Sequence, residues 1–304
     1  MTDRSAGLES DSKAETCPDG AASVADTGGT GADGAGKFVP PGVDHTLRRR
    51  LKAIRRKWVV LSGKGGVGKS TVAANLALAL AAMRKDTGLL DVDVHGPSIP
   101  RMLGLENARP VIKGDYLIPP EIEGRLKVMS LGFLFREKDE AVIWRGPMKT
   151  GAIRQMLRDT EWGDLDALVV DCPPGTGDEP LTILQLIGDV DGAVIVTTPQ
   201  EVALADVRRS IQFCRKLGAP IAGVIENMSG FVCPHCGERT DVFKSGGAEA
   251  MARDMDVPFL GRIPLDPALM RACDAGRLRL DPDAPSATAA IFRTIAEALR
   301  ESRS

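Results

Sequence analysis

The sequence predicts an α/β fold, a mostly parallel sheet flanked by helices on both faces. Three observations point there. Short apolar runs recur along the chain and alternate with stretches of helical composition; two of the runs end in aspartate; and a glycine-rich turn joins the first run to the first helix. Strands alternating with helices form parallel sheets whose two faces are covered, so their apolar runs are continuous. The 304 residues, 43% of them hydrophobic, suffice for one such domain of ordinary to large size or two small ones.

Residues 1–37 are rich in Gly, Ala, Ser, Thr and Asp and almost lack large apolar side chains before Phe38. Such a segment cannot bury enough surface to offset its ordering entropy, so a disordered tail is expected, with Cys17 alone inside it and the folded domain spanning 38–304. Leu47, Leu51, Ile54 and Trp58 fall at helical spacing among basic residues, predicting a lead-in helix that packs one edge on the domain. Trp58–Ser62 reads as a buried strand and Thr71–Leu80 as a helix of alanine and leucine. Thr87–Asp93 is a second strand, ending in Asp91 and Asp93, and Asp166–Asp171 a third, ending in Asp171. Ala193–Thr198 is a strand, Val202–Leu217 a helix and Ile221–Ile225 a strand running into Glu226, Asn227 and Met228. Pro258–Pro264 is a further strand, and Ala287–Arg300 closes with a helix whose core stripe is Ile291, Ile295 and Leu299.

The chemistry concentrates between the first strand and first helix. Gly63-Lys64-Gly65-Gly66-Val67-Gly68-Lys69-Ser70-Thr71 contains G-x-x-x-x-G-K-[ST]. Glycines there let successive N–H groups curl inward onto phosphate oxygens, and the helix opening near Lys69 adds its positive end. Lys69 would reach the β- and γ-phosphates and the Ser70 hydroxyl a place on Mg²⁺. Gly63, Gly65 and Gly68 also satisfy G-x-G-x-x-G with Asp91 at ribose distance, but Lys69 and Ser70 have no task in a dinucleotide site. Carboxylates at strand ends face the ligand crevice of an open α/β sheet, and Asp171 stands where a Walker-B carboxylate holds Mg²⁺ through water. The glycines and prolines of Asp171–Asp178 suit a segment that swings when the γ-phosphate leaves.

The whole-chain numbers exclude several classes. A net charge of −2 provides no global basic field for nucleic acid, and 4% aromatics offer few stacking platforms. No apolar run approaches the roughly 20 residues of a membrane span, and the N-terminus lacks a signal-type apolar core, so a cytoplasmic protein is expected. The six cysteines then read as reduced thiols or metal ligands.

Cys233-Pro234-His235-Cys236 is the second informative motif, in an insertion at about 229–243. Two thiolates two residues apart grip one metal from a tight turn, yet supply only half of a four-ligand site. Cys172, Cys214 and Cys273 have no partner at chelating spacing, and the ring of His235 lies poorly for sharing the cysteines' metal. Either a second subunit donates the missing pair across a two-fold axis, around an iron–sulfur cluster or a structural zinc, or the pair is a redox dithiol.

The second loop lysine, Lys64, marks the deviant Walker-A ATPases, the group of MinD, ParA and the nitrogenase iron protein. Within it, GKGGVGKST, DVDVHGPSIPRMLG, VIWRGPM, DCPPGTGDEPLT, VTTPQEVAL, ENMSGFVCPHCG and IPLDP, over about Lys57 to Ala298, resemble the Mrp/ApbC iron–sulfur cluster carriers. The resemblance implies an ATP-hydrolysing homodimer with a 4Fe-4S cluster bridging the CPHC turns, loaded from an assembly scaffold and handed to apo-proteins. It implies that Lys64 reaches the partner subunit's phosphates, and that Gly63, Gly65, Gly66, Val67, Gly68, Lys69, Ser70 and Thr71 cradle ATP, with Thr71 at the α-phosphate. Asp93 would orient the attacking water, Asp91 support the metal shell, Asp171 serve as the Walker-B group, and Asn227 read the adenine edge. Cys233 and Cys236 would be the cluster ligands. No contact with membrane or nucleic acid is implied. The tail lacks the extra domain or four-cysteine motif of some relatives, and Cys172 replaces the more usual apolar residue after Asp171. The competing expectation is a MinD- or ParA-type spatial organiser binding membrane or nucleoid through the basic stretch Arg48–Lys57, against which CPHC stands.

Overall fold

Continuous apolar runs become the middle of a wide sheet. In this computed structural model residues 44–94, 96–134, 146–233, 235–279 and 286–302 are described; the expected tail with Cys17, His95, part of the VIWRGPM motif and Pro234 lie outside them. In chain order the first elements are α1 (His45–Lys52), β1 (Lys57–Leu61), α2 (Lys69–Ala82), β2 (Thr87–Asp91), α3 (Ile99–Met102), the hairpin β3 (Val111–Lys113) and β4 (Tyr116–Ile118), β5 (Glu121–Ile122), β6 (Leu126–Ser130) and α4 (Gly146–Asp159). Then come β7 (Ala167–Asp171), α5 (Asp178–Ile187), β8 (Gly192–Thr197), α6 (Glu201–Lys216), β9 (Ile221–Glu226), the hairpin β10 (Phe231–Val232) and β11 (Arg239–Thr240), α7 (Gly247–Asp254), β12 (Phe259–Arg262), α8 (Pro267–Asp274) and α9 (Ala287–Glu301).

The sheet has eight strands in the order β12-β9-β8-β1-β7-β2-β6-β5. Every pairing is parallel except β5 on β6 at the edge. All residues of β1, β2, β7 and β8 are buried, because helices cover both faces of the centre. Helix α2 packs on β7 and is overlaid by α9, which explains why its alanines and leucines are buried on almost every side. Its burial is all-round, so no polar stripe was available to mark it. In α9, Ile295 and Leu299 join Phe292 in the core, and Ile291 packs against it half-buried.

The lead-in helix is shorter than its apolar spacing suggests. Asp44 caps it by accepting from the N–H groups of Thr46 and Leu47. It stops at Lys52 because the chain is captured by the sheet: Ile54 bridges to Leu165, and Trp58 lies inside β1 opposite Val169. Leu47, Leu51, Ile54 and Trp58 are all buried, so their spacing was informative about burial and misleading about helix length. Lys57 closes the turn by donating its Nζ to the carbonyls of Ile54 (3.1 Å) and Leu51 (3.5 Å). Among the described residues, no helix is long and apolar enough to cross a membrane.

Candidate functional site: a phosphate loop beside a cysteine hairpin

β1 lies between β7 and β8, so the loop after it opens at the centre of the sheet's carboxyl edge, where open α/β sheets bind ligands. Gly66 and Gly68 both have φ +79, in the left-handed region that glycine alone adopts easily, and Gly68 is the cap of α2. Asn227 explains why Gly68 has no alternative: its Nδ2 donates to the Val67 carbonyl at 2.9 Å and occupies the place a Cβ at Gly68 would need. Gly63 is equally confined, against the backbone of Asp206. Gly65 differs, since a Cβ there would meet no atom within 4 Å. Ser62 ties the loop together, donating to the Lys64 carbonyl at 3.0 Å while its own carbonyl accepts from Gly175 N at 2.8 Å, in the segment after β7.

Lys69 is 6% exposed and rests on Asp171, Nζ to Oδ1 at 2.5 Å, with Asp93 Oδ2 at 3.8 Å and Ser70 Oγ at 3.4 Å. Burial opposes its charge, but the Asp171 carboxylate outweighs that and holds the Lys69 pKa above the ordinary lysine value. Asp171 is itself fully buried; burial raises its pKa against the pull of Lys69. Its second oxygen, Oδ2, has no hydrogen-bond partner among the described residues. A buried carboxylate oxygen left open beside a phosphate loop is chemistry suited to a divalent cation.

Asp91 pairs in register with Asp171 on the neighbouring strand. Its Oδ1 accepts from Asp93 N at 3.1 Å and its Oδ2 from Ser130 Oγ at 2.9 Å. Burial first, then the nearby Asp171, pushes its pKa up to about 8. Asp91 therefore braces the backbone of Asp93 from the neighbouring strand end. Ser70 and Thr71 are half-buried in the first turn of α2, and the Thr71 carbonyl accepts from Asn75 Nδ2 at 2.8 Å. Lys64 is half-buried in the loop.

The cysteines sit in the turn between β10 and β11. Gly237 N donates to the Cys233 carbonyl at 2.8 Å and Cys233 N to the Glu238 carbonyl at 2.9 Å, closing a tight turn with Gly237 at φ +74. Cys236 is exposed and Cys233 partly so. The backbone N–H of Cys236, then that of His235, stabilise a thiolate at Cys233 and lower its pKa. Cys172, Cys214 and Cys273 are buried, and burial raises each thiol, Cys214 to about 11. No group of three or more His, Cys, Asp or Glu arranged for a metal occurs among the described residues. Cys233 and Cys236 thus bring two thiols to one solvent-facing turn.

Two residues at this site went unassigned from the sequence. Ser130, at the end of the unread strand β6, is the partner that holds Asp91. Glu226, fully buried at the end of β9, binds the hairpin's base. A charged residue ending an apolar strand run was the one available signal for the second.

A glycine loop between the central strand and a helix, a buried lysine and strand-end aspartates define a P-loop nucleoside triphosphatase, and the chain is an ATPase of that class. More particularly, it belongs to the NUBPL iron-transfer P-loop NTPase family of the ParA group, whose family model matches residues 53–300. It is 53% identical over 233 residues to an iron-sulfur cluster carrier protein of Methanocaldococcus jannaschii, covering 77% of this chain and 80% of the relative. Among solved structures, a nucleotide-binding protein of Archaeoglobus fulgidus in complex with ADP is 41% identical, with a TM-score of 0.69 over 77% of this chain and 92% of that one. The septum site-determining protein MinD of Pyrococcus horikoshii, complexed with Mg-ADP, shares the fold at 24% identity and a TM-score of 0.60, covering 81% and 96% of the two chains.

Proposed function

We propose that the chain is an ATP-dependent carrier of a 4Fe-4S cluster, held between two copies by Cys233 and Cys236 of each and delivered to apo-proteins. The observation that carries this reading is the exposed two-thiol half-site, built on a hairpin that leaves the strand whose end braces the phosphate loop. A cluster asks for four thiolates, and two copies supply them. The name of the Methanocaldococcus jannaschii relative supports the cargo, and the ADP of the Archaeoglobus fulgidus structure supports the nucleotide.

At the nucleotide, Gly63 to Thr71 wrap the phosphates, and Ser70 and Asp171 would hold Mg²⁺, with Asp91 behind them. Bound there, the ion would supply charge neutralisation to the phosphates. Lys69 leaves Asp171 Oδ1 for those phosphates as ATP enters, which frees the carboxylate. Asp93 orients the attacking water, Lys64 reaches the partner's phosphates, and Asn227 contacts the adenine edge. Phosphoryl transfer needs positioning and charge stabilisation, and no covalent nucleophile is required.

A spatial organiser would use the basic stretch around α1, but the fold already employs much of it. Arg50 makes a two-pronged pair with Glu161 at 2.8 Å, Arg56 pairs with Asp191 at 3.0 Å, and Lys57 donates to the Ile54 and Leu51 carbonyls.

The test is transfer. Anaerobically reconstituted protein should restore an apo 4Fe-4S enzyme, and Cys233→Ala should abolish that restoration while ADP still binds. Equal restoration by the variant would overturn the carrier reading.

A further inference from the structure

Glu226, the last residue of β9, and Asn227, the next residue, have opposite attachments. Asn227 holds the phosphate loop, through Val67 at 2.9 Å, and its own N–H is fixed on the Thr197 carbonyl at 2.7 Å. Glu226, one residue earlier, holds the cysteine hairpin at both roots. Its Oε1 accepts from Ser229 Oγ at 2.5 Å, where the chain leaves the sheet, and from Gly246 N at 2.8 Å, where it returns. Its Oε2 accepts from Ala248 N at 2.7 Å, in the first turn of α7. The two roots also approach each other directly, Ser229 Oγ to Ser245 Oγ at 3.4 Å. The carboxylate is 0% exposed, and its charge is met by the N-terminus of α7 and by Arg262 Nε at 3.8 Å.

The step from Asn227 to the hairpin root at Ser229 is strained. Met228, directly after Asn227, has φ +57, a left-handed conformation uncommon for a non-glycine residue, and its side-chain end lies beside Gly68. A strained residue between Asn227, which holds the loop, and Ser229, which Glu226 holds, stays in place only while the bonds on either side of it are kept. Movement of the Val67 carbonyl therefore reaches the hairpin through one peptide unit and one carboxylate.

We propose that Glu226 is a positioning residue that couples the state of the phosphate loop to the orientation of the Cys233 and Cys236 thiols. The coupling has a purpose only on the carrier reading above, but its test uses no cluster. Nucleotide entering the loop shifts Val67 and Asn227; Glu226 carries the shift to Ser229 and Gly246; the turn bearing the thiols moves with its roots.

In the reduced, cluster-free full chain, the alkylation rates of Cys233 and Cys236 by iodoacetamide are measured by peptide mass spectrometry, without nucleotide and with saturating Mg-ADP. The wild type should show rates differing by about fivefold or more between the two conditions. Glu226→Gln keeps the shape but presents a donor where three donors converge, and should bring the ratio to about one. Its Mg-ADP affinity and the protection of buried Cys172 and Cys214 should stay at wild-type values. Ser229→Ala removes only one of the root bonds and should give an intermediate ratio, which keeps the test valid if Glu226→Gln does not fold. Equal wild-type rates in both conditions, or a wild-type ratio in either variant, overturn the proposal. Failure of the carrier reading would show instead in iron content, so the two failures are distinguishable.

Discussion

Gly65 and Gly68 stand three residues apart in one loop, and the structure assigns them opposite effects on replacement by alanine. At Gly68 the backbone is left-handed, φ +79, and the added Cβ would displace the Asn227 amide from the Val67 carbonyl. The left-handed penalty is about 1–2 kcal/mol, and the lost bond adds about 1 kcal/mol. Gly68→Ala should therefore destabilise the chain by about 2–3 kcal/mol, a fall in Tm of roughly 5–10 °C for a domain of this size. At Gly65 no atom lies within 4 Å of the added methyl and no positive φ is involved, so stability should change by less than about 0.5 kcal/mol. The methyl instead enters the open side of the cradle, and ADP affinity should fall at least about tenfold, equivalent to about 1.4 kcal/mol. Thermal unfolding without nucleotide, beside titration calorimetry with Mg-ADP, reads both quantities. Equal destabilisation by the two variants, or wild-type affinity in Gly65→Ala, would refute the assignment of the open side to phosphate.

Lys64→Ala should leave Tm within about 2 °C of wild type while phosphate release from ATP drops sharply, because Lys64 supports no described contact through its side chain. Asp171→Asn leaves buried Lys69 with Asp93, at 3.8 Å, as its remaining carboxylate partner, and should lower stability by roughly 3 kcal/mol in urea unfolding, with loss of Mg²⁺-dependent turnover. Asp91, raised to about 8, favours the folded state while protonated. Its contribution is complete below the ordinary carboxylate range and is lost as pH rises through about 8; in the metal-free protein, Asp91→Asn should flatten the fall in urea midpoint between those limits. An unchanged pH slope in that variant would contradict the burial assigned to Asp91.

The parts of this protein that were legible in the sequence are those where one physical demand dominates. A glycine forced by a left-handed turn, as at Gly68, and an aspartate ending a fully buried strand, as at Asp91 and Asp171, mark the ligand edge of the sheet. The sheet's centre was legible for the same reason, since β1, β7 and β8 are buried on both faces and so are apolar except at their ends, Lys57, Asp171 and Thr197. The short strands were not: the separate hairpin β3–β4 and the edge strand β5 are two or three residues long and partly exposed, with nothing periodic to detect. β6 mixes Lys127 into a buried run, because the lysine's end reaches the Trp162 carbonyl at 2.9 Å and hides its charge. The end of α1 was misread because Ile54 and Trp58 keep helical spacing by coincidence, their burial coming from β-type pairing. At the site, the chemistry-bearing residues announced themselves by type, whereas Glu226, Ser229 and Ser130 act by distance across the fold, which a linear pattern does not encode.

The account turns on two copies sharing one inorganic centre through four sulfurs. Iron and acid-labile sulfide should be measured on anaerobically reconstituted protein together with its mass in solution, beside the Cys233→Ala, Cys236→Ala double variant. The account predicts about two irons and two sulfides per chain in a species of twice the chain mass, and neither in the variant. A colourless wild-type monomer, or a sulfide-free dimer holding a single zinc, would contradict it.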